Sequence, residues 1–229
     1  MEISTQYRIK ICQSPQWKQH NCCRIGISVG NLAFEEDKLQ TLLSWAHGRF
    51  SQCLLYIADT LQRHNYVWKF GMSEEEAYQQ ALESGRQWLS RNKNTLEQYF
   101  SSQNISYWDR WRTSESFQSL HKQVTAICQH NSLIESALDT DIANFLSRRS
   151  INSLSQELAY QKCRDFLIEE VVVHTLMARE ARAAKLYPAK QLEILKVFRE
   201  RLIENAPVGL ENEDYINFKF LRAKINKSY

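Results

Sequence analysis

The chain has little of what makes a protein flexible: 3 prolines and 6 glycines in 229 residues. That scarcity argues against linkers and disordered segments, and no repeat or low-complexity tract is visible. No apolar run approaches the roughly 18 residues needed to cross a bilayer, so no membrane association is expected. The opening MEISTQYRIK lacks the apolar core of a signal peptide, which makes a cytoplasmic location the expectation. Net charge is also small. With 29 Lys+Arg against 26 Asp+Glu, the formal +3 is too mild to coat nucleic acid, so any RNA contact must be a local patch. The six cysteines (Cys12, Cys22, Cys23, Cys53, Cys128, Cys163) show no C-x-x-C spacing, and no H-x-x-x-H occurs. Free thiols in a reducing compartment are expected, with neither metal nor cofactor.

What is present is a hydrophobic fraction of 43%, enough for a buried core, and one domain over residues 1–229 is expected. CRIGIS (23–28) is a short apolar run ending in glycine and serine, as a buried strand feeding a turn would. FEEDKLQTLLSWAHGRF (34–50) follows with Leu39, Leu42, Leu43 and Ala46 at helical spacing and acidic residues at its start, where the helix dipole favours them. CLLYIAD (53–59) is a second buried strand, so a parallel β-α-β unit is predicted, with Ser28 and Asp59 at the carboxyl ends where such sheets bind ligands. Ser73 and Glu76 form a capping-box signature at the head of a long helix running to about residue 100. Further helices are predicted at 114–146 and 154–183, with strands at 184–188 and 214–221. The pattern is α/β, with a mostly parallel sheet and a helix-rich second half.

Gly26-Ile27-Ser28-Val29-Gly30 matches the G-x-S-x-G elbow of serine hydrolases, but only 27 residues precede Ser28, too few for the strands such a fold places before its nucleophile. His64, His121, His130 and His174 do not stand in a recognisable turn after a strand. A dinucleotide loop is disfavoured too, because Ser28 occupies the place of its middle glycine.

Taken together, GISVGN (26–31), LLSWAHGRF with CLLYIADT, FLIEEVVV (166–173) and LYP (186–188) resemble, in order, the motifs of the cyclodipeptide synthases. These enzymes join two aminoacyl groups from charged tRNAs into a diketopiperazine. The resemblance implies a Rossmann-like domain similar to the catalytic domains of class I tyrosyl- and tryptophanyl-tRNA synthetases, here without their HIGH and KMSKS signatures, as fits an ester that is already activated.

It further implies that Ser28 takes an aminoacyl group from one tRNA as a covalent ester. The amine of a second aminoacyl-tRNA then gives a dipeptidyl-enzyme, which cyclises. Gly26, Gly30 and Asn31 belong to the nucleophile motif, Glu170 would hold the substrate ammonium, and Tyr187 would orient Ser28 or relay protons. Phe166 stands where the family has a tyrosine, one turn before Glu170 and on the same face, so its hydroxyl is missing. The neighbouring Glu169 is also open as a solvated charge. Asn31 fits one subgroup of the family and Pro188 the other, and the proline subgroup is expected.

By the same resemblance Tyr56 would lie where the family's first aminoacyl pocket is lined, and its ring would favour glycine or alanine. Arg86, Arg91 and Lys93 stand on the helix that receives tRNA in the family, and Lys219, Arg222, Lys224 and Lys227 make a second basic cluster. The expected partners are two aminoacyl-tRNAs, met by a monomer. Two other readings stay open: a serine esterase or acyltransferase, and a tRNA-binding module without activity.

Overall fold

The computed structural model describes residues 7–13, 17–147 and 156–222; Lys224 and Lys227 lie outside the described residues. Six strands form one sheet: β1 (Tyr7–Gln13), β2 (Cys22–Ser28), β3 (Gln52–Ala58), β4 (Ile105–Tyr107), β5 (Ala184–Tyr187) and β6 (Asp214–Arg222). Their spatial order is β1-β6-β5-β2-β3-β4, and every neighbouring pair is parallel except β1 with β6. This is the α/β class expected, with β1 as an antiparallel edge that the sequence pattern did not reveal.

The helices are α1 (Glu36–His47), α2 (Arg63–Phe70), α3 (Glu74–Glu97), α4 (Asp109–Arg112), α5 (Glu115–His130), α6 (Ser132–Leu146), α7 (Gln156–Glu180) and α8 (Glu193–Arg199). The α3 capping box forms as predicted, Ser73 accepting from the Glu76 amide while the Glu76 carboxylate accepts from that of Ser73. α1 begins at Glu36 rather than at residue 34, because a single 3₁₀ turn at Leu32–Phe34, capped by Asn31, comes first. The predicted 114–146 segment breaks at Asn131, whose side chain accepts from the amides of Leu133 and Ile134 and starts α6.

The two faces of the sheet differ. On one, Ile25, Ile27, Leu55, Ile57, Leu186 and Ile216 pack against α1 and Trp88 of α3 in a hydrophobic core. Side chains alternate along a strand, so Arg24, Gly26 and Ser28 share the other face of β2, toward α7. There Arg24 stands in register with Lys185 of β5, two cations side by side inside the protein. Such a pair persists only if each is compensated. Arg24 donates to Glu213 Oε1 at 2.6 Å and to the carbonyls of Met177 and Ala181 at the end of α7, where the helix dipole favours a cation. All six cysteines are free thiols, four of them buried.

Candidate active site

From β2 the chain passes to β3 and then β4 on one side, while β5 lies against the other side of β2. The gap above β2 and β5 is therefore a topological switch point, where open α/β sheets bind ligands at their carboxyl ends. Ser28 ends β2 and Tyr187 ends β5, and Ser28 Oγ lies 2.7 Å from the Tyr187 hydroxyl. The backbone after Ser28 turns sharply. The Asn31 amide donates to the Ser28 carbonyl at 3.0 Å, with Gly30 at φ +83° as the third turn residue, a conformation that favours glycine. Trp88, fully buried, donates to the Phe34 carbonyl at 3.0 Å and anchors the far end of this loop, while the Phe34 ring packs on Tyr187 at 5.8 Å.

A cavity of about 550 Å³ opens here. It is lined by all eight residues named for catalysis and substrate binding: Gly26, Ser28, Gly30, Asn31, Tyr56, Phe166, Glu170 and Tyr187. Gly26 and Tyr56 are register partners on adjacent strands, and the Tyr56 ring lies across the space where a side chain on Gly26 would stand. Phe166 and Glu170 face the cavity from α7, as their spacing requires. Asp59 does not join them. It sits at the end of β3, but turns toward α3, where its Cβ comes within 2.7 Å of the position a Cβ on Gly85 would take.

The structure separates the two adjacent glutamates. Glu169 is buried and tied down, accepting from Arg63, from Trp108 Nε1 at 2.7 Å and from His64 at 3.3 Å. Burial alone would raise its pKa, but the bonds from His64 and Arg63 and the Arg63 charge outweigh it and hold the carboxyl far below the usual range. It is a structural tie between α2, the β4–α4 corner and α7. Glu170 instead reaches the cavity, 3.6 Å from His174 Nε2 and 3.7 Å from Lys185 Nζ. Burial acts to raise its pKa, and His174 with Lys185 bring it below the ordinary value. Both contacts are longer than a hydrogen bond, so the carboxylate keeps room for another donor.

Burial pushes the Tyr187 phenol up, with Ser28 and Asn31 opposing, so it stays neutral near pH 7. His174 and Lys185 line the cavity and were not foreseen. The signal was present, since Arg24 and Lys185 are charges inside otherwise apolar strands, which call for buried partners.

Arg86, Arg91 and Lys93 are exposed on α3, and each lies within 4.0 Å of a carboxylate: Glu83, Glu35 and Glu97 respectively. The expected basic patch is thus largely neutralised. Among the described residues, no group of three His, Cys, Asp or Glu side chains is arranged to hold a metal, and no helix is long and apolar enough to cross a membrane.

The family model for cyclodipeptide synthase matches residues 10–175, which include Ser28 and Glu170 and end before Tyr187. Among solved structures, a CDPS from Fluoribacter dumoffii superposes with a TM-score of 0.82 at 26% identity, covering 95% of this chain and 99% of its own. Two more distant structures bear on the fold. A Mycobacterium tuberculosis protein whose structure relates cyclodipeptide synthetases to type I tRNA synthetases has a TM-score of 0.70 at 16% identity, with 95% of each chain covered. A cyclodipeptide synthase from Candidatus Glomeribacter gigasporarum, solved bound to Phe-tRNAPhe, has a TM-score of 0.61 at 20% identity, covering 91% of this chain and 90% of its own. No curated protein sequence matches the chain significantly.

Proposed function

The chain belongs to the cyclodipeptide synthase family, and from that premise we propose that it builds a diketopiperazine from two aminoacyl-tRNAs through an ester on Ser28. The observation that carries this reading is the Ser28–Tyr187 hydrogen bond, 2.7 Å long, at the switch point of the sheet and at the wall of the cavity. In the first step Ser28 Oγ attacks the ester carbonyl of the first aminoacyl-tRNA, and the ribose oxygen leaves with a proton. Tyr187 is neutral, so it cannot take the serine proton outright. It passes one proton to the departing ribose oxygen as it receives another from Ser28.

Atom balance reverses the sense expected from sequence for the second step. If the incoming amine attacked the Ser28 ester, the serine would be freed and the dipeptide would leave on tRNA. For a dipeptidyl-enzyme to form, the amine of the Ser28-held group must attack the second ester and expel that tRNA. The new terminal amine then attacks the Ser28 ester, closes the ring and frees the serine.

Glu170, the carboxylate that faces the cavity, holds the ammonium of the Ser28-bound group. Tyr56 narrows the pocket beneath Gly26 and favours a small first residue such as glycine or alanine. Phe166 supplies a ring and no hydroxyl, so the grip on the amine falls to Glu170. Arg86, Arg91 and Lys93 meet tRNA phosphates by exchanging their carboxylate partners, which makes their contribution modest. We place the chain in the subgroup with proline after the later tyrosine, on the likeness of residues 32–65 and of the segment after Pro188, with Asn31 fitting the other subgroup. Strands from early and late in the chain share one sheet, which supports a single domain, and we take it to act as a monomer.

The serine-hydrolase alternative is disfavoured, because among the described residues the hydrogen-bond partner of Ser28 is a phenol, not an imidazole. Incubation with charged tRNA, and separately with free amino acids plus ATP or with simple amino-acid esters, tests the choice. Diketopiperazine from charged tRNA alone is the expected result. Turnover of simple esters without tRNA would contradict it.

A further inference from the structure

Beneath Ser28 and Glu170 lies a charge cluster that the mechanism above leaves unused. Lys185 is 2% exposed, and its ammonium donates to His174 Nε2 at 2.7 Å. With Lys185 as the donor, Nε2 accepts and the imidazole proton lies on Nδ1, which faces Glu213 Oε2 at 3.8 Å and has no hydrogen-bond partner among the described residues. The groups around Lys185 come from every element packed on it: Glu170 and His174 from α7, Arg24 from β2, Glu213 ahead of β6, Tyr215 from β6 and Tyr187 from its own strand. Tyr56 of β3 meets the same imidazole at 3.4 Å. Arg24 is satisfied by Glu213, which leaves Glu170 as the direct counter-charge of Lys185.

Within the protein itself two cations, Arg24 and Lys185, balance two carboxylates, Glu213 and Glu170. An aminoacyl ammonium arriving at Glu170 adds a third cation to a sheltered space. The amine must become neutral before it can attack, whereas its delivery to Ser28 carries no such requirement.

We propose that Lys185 is a positioning residue that makes the Ser28-held amine reactive: 3.7 Å from Glu170 Oε1, its ammonium competes with the substrate ammonium for one carboxylate and drives the substrate nitrogen to its neutral form. The substrate ammonium loses one proton to water in the open cavity. Its lone pair then forms the C–N bond to the second ester carbonyl, the C–O bond to the ribose breaks, and the second nitrogen proton ends on the ribose oxygen. Burial pushes the Lys185 ammonium below its ordinary range while Glu170 and Glu213 act to keep it charged, which fits a cation held under strain beside its counter-ion. The inference rests on Glu170 as the partner of the amine.

The test is single-turnover kinetics with aminoacyl-tRNA from about pH 5.5 to about pH 8.5, across the α-amino range, reading the Ser28 adduct and the diketopiperazine separately. Lys185→Met is expected to keep or raise the rate of adduct formation and to move the acid limb of product formation up by about one pH unit or more. Lys185→Arg keeps the charge and is expected to leave the limb in place. An unmoved limb in Lys185→Met, an equal shift in both variants, or a parallel fall in adduct formation overturns the proposal. So does a changed choice of amino acid with the limb unmoved, which would make Lys185 a side-chain selector. Should Lys185→Met show no cooperative thermal transition, Lys185→Gln, also uncharged, takes its place: a limb moved up relative to Lys185→Arg supports the proposal and an unmoved one overturns it. A wild-type protein that never forms the adduct overturns the synthase reading itself, and this inference with it.

Discussion

Replacing Gly26 by alanine aims a methyl group at Tyr56. A Cβ on Gly26 would stand 2.1 Å from the Tyr56 hydroxyl oxygen, 2.4 Å from Cζ and 3.0 Å from Cε1, so the ring must retreat. The ring borders the cavity on one side, but its other sides are closed. Tyr56 is 4% exposed and ringed by His174, Trp108 and Trp111 at centroid distances of 5.5, 6.3 and 6.5 Å. Overpacking of this kind costs about 1–3 kcal/mol, and the depth of the overlap places Gly26→Ala toward the upper end. Tyr56→Leu removes the far end of the ring and makes the room, so the same Gly26→Ala change should then cost under about 0.5 kcal/mol. Urea unfolding of the four proteins in this cycle gives the coupling, expected at about 2 kcal/mol. The same cycle reads specificity: Tyr56→Leu should admit larger first residues, and adding Gly26→Ala to it should narrow the choice again. A Gly26→Ala cost that is equal in both backgrounds would refute the reasoning. So would a Tyr56→Leu enzyme whose amino-acid selection is unchanged.

Three other expectations follow from the same geometry. Tyr187→Phe removes the hydroxyl at Ser28 without changing the ring, and should lower the acylation rate by about 10²–10⁴ with little change in melting temperature. Glu169 has a folded-state pKa depressed below its reference of 4.5, so its contribution is complete above that value and lost as pH falls below it. Glu169→Gln should therefore cost about 3–5 kcal/mol near pH 7, leaving Arg63 without its counter-charge, and the gap to wild type should narrow in urea melts below about pH 4. Replacing Arg86, Arg91 and Lys93 together by alanine should raise KM for aminoacyl-tRNA more than it lowers kcat and flatten the log–log salt dependence by up to about 0.7–0.9 per lost phosphate contact. An unchanged salt slope would remove α3 from the tRNA interface.

Much of this site was legible in the sequence because its chemistry sits at strand ends. Apolar runs at 23–28, 53–59 and 184–188 mark the buried parallel strands, and the residues that close them, Ser28 and Tyr187, meet at the switch point. Other features were hidden by their local signals. β1 alternates half-buried with exposed residues and pairs only at the sheet edge, and β4 is three residues long, too short for periodicity. The distinction between Glu169 and Glu170 is set by helix rotation against Arg63 and Trp108, partners more than 60 residues away in the chain. Lys185 and Arg24 look anomalous in their strands until α7 and Glu213 supply the partners. The neutralised surface of α3 was half visible: Glu83 and Glu97 lie on the same helix, but Glu35 reaches Arg91 from the loop after β2.

Covalent chemistry at Ser28 is the central claim, and intact-protein mass spectrometry tests it most directly. Wild type and Ser28→Ala would each be mixed with a pool of charged tRNAs, quenched in acid, and read for both protein mass and released small molecules. An aminoacyl or dipeptidyl adduct on wild type alone, together with a diketopiperazine, is the predicted result. A diketopiperazine made equally well by Ser28→Ala, or bound tRNA with neither adduct nor product in wild type, would contradict it.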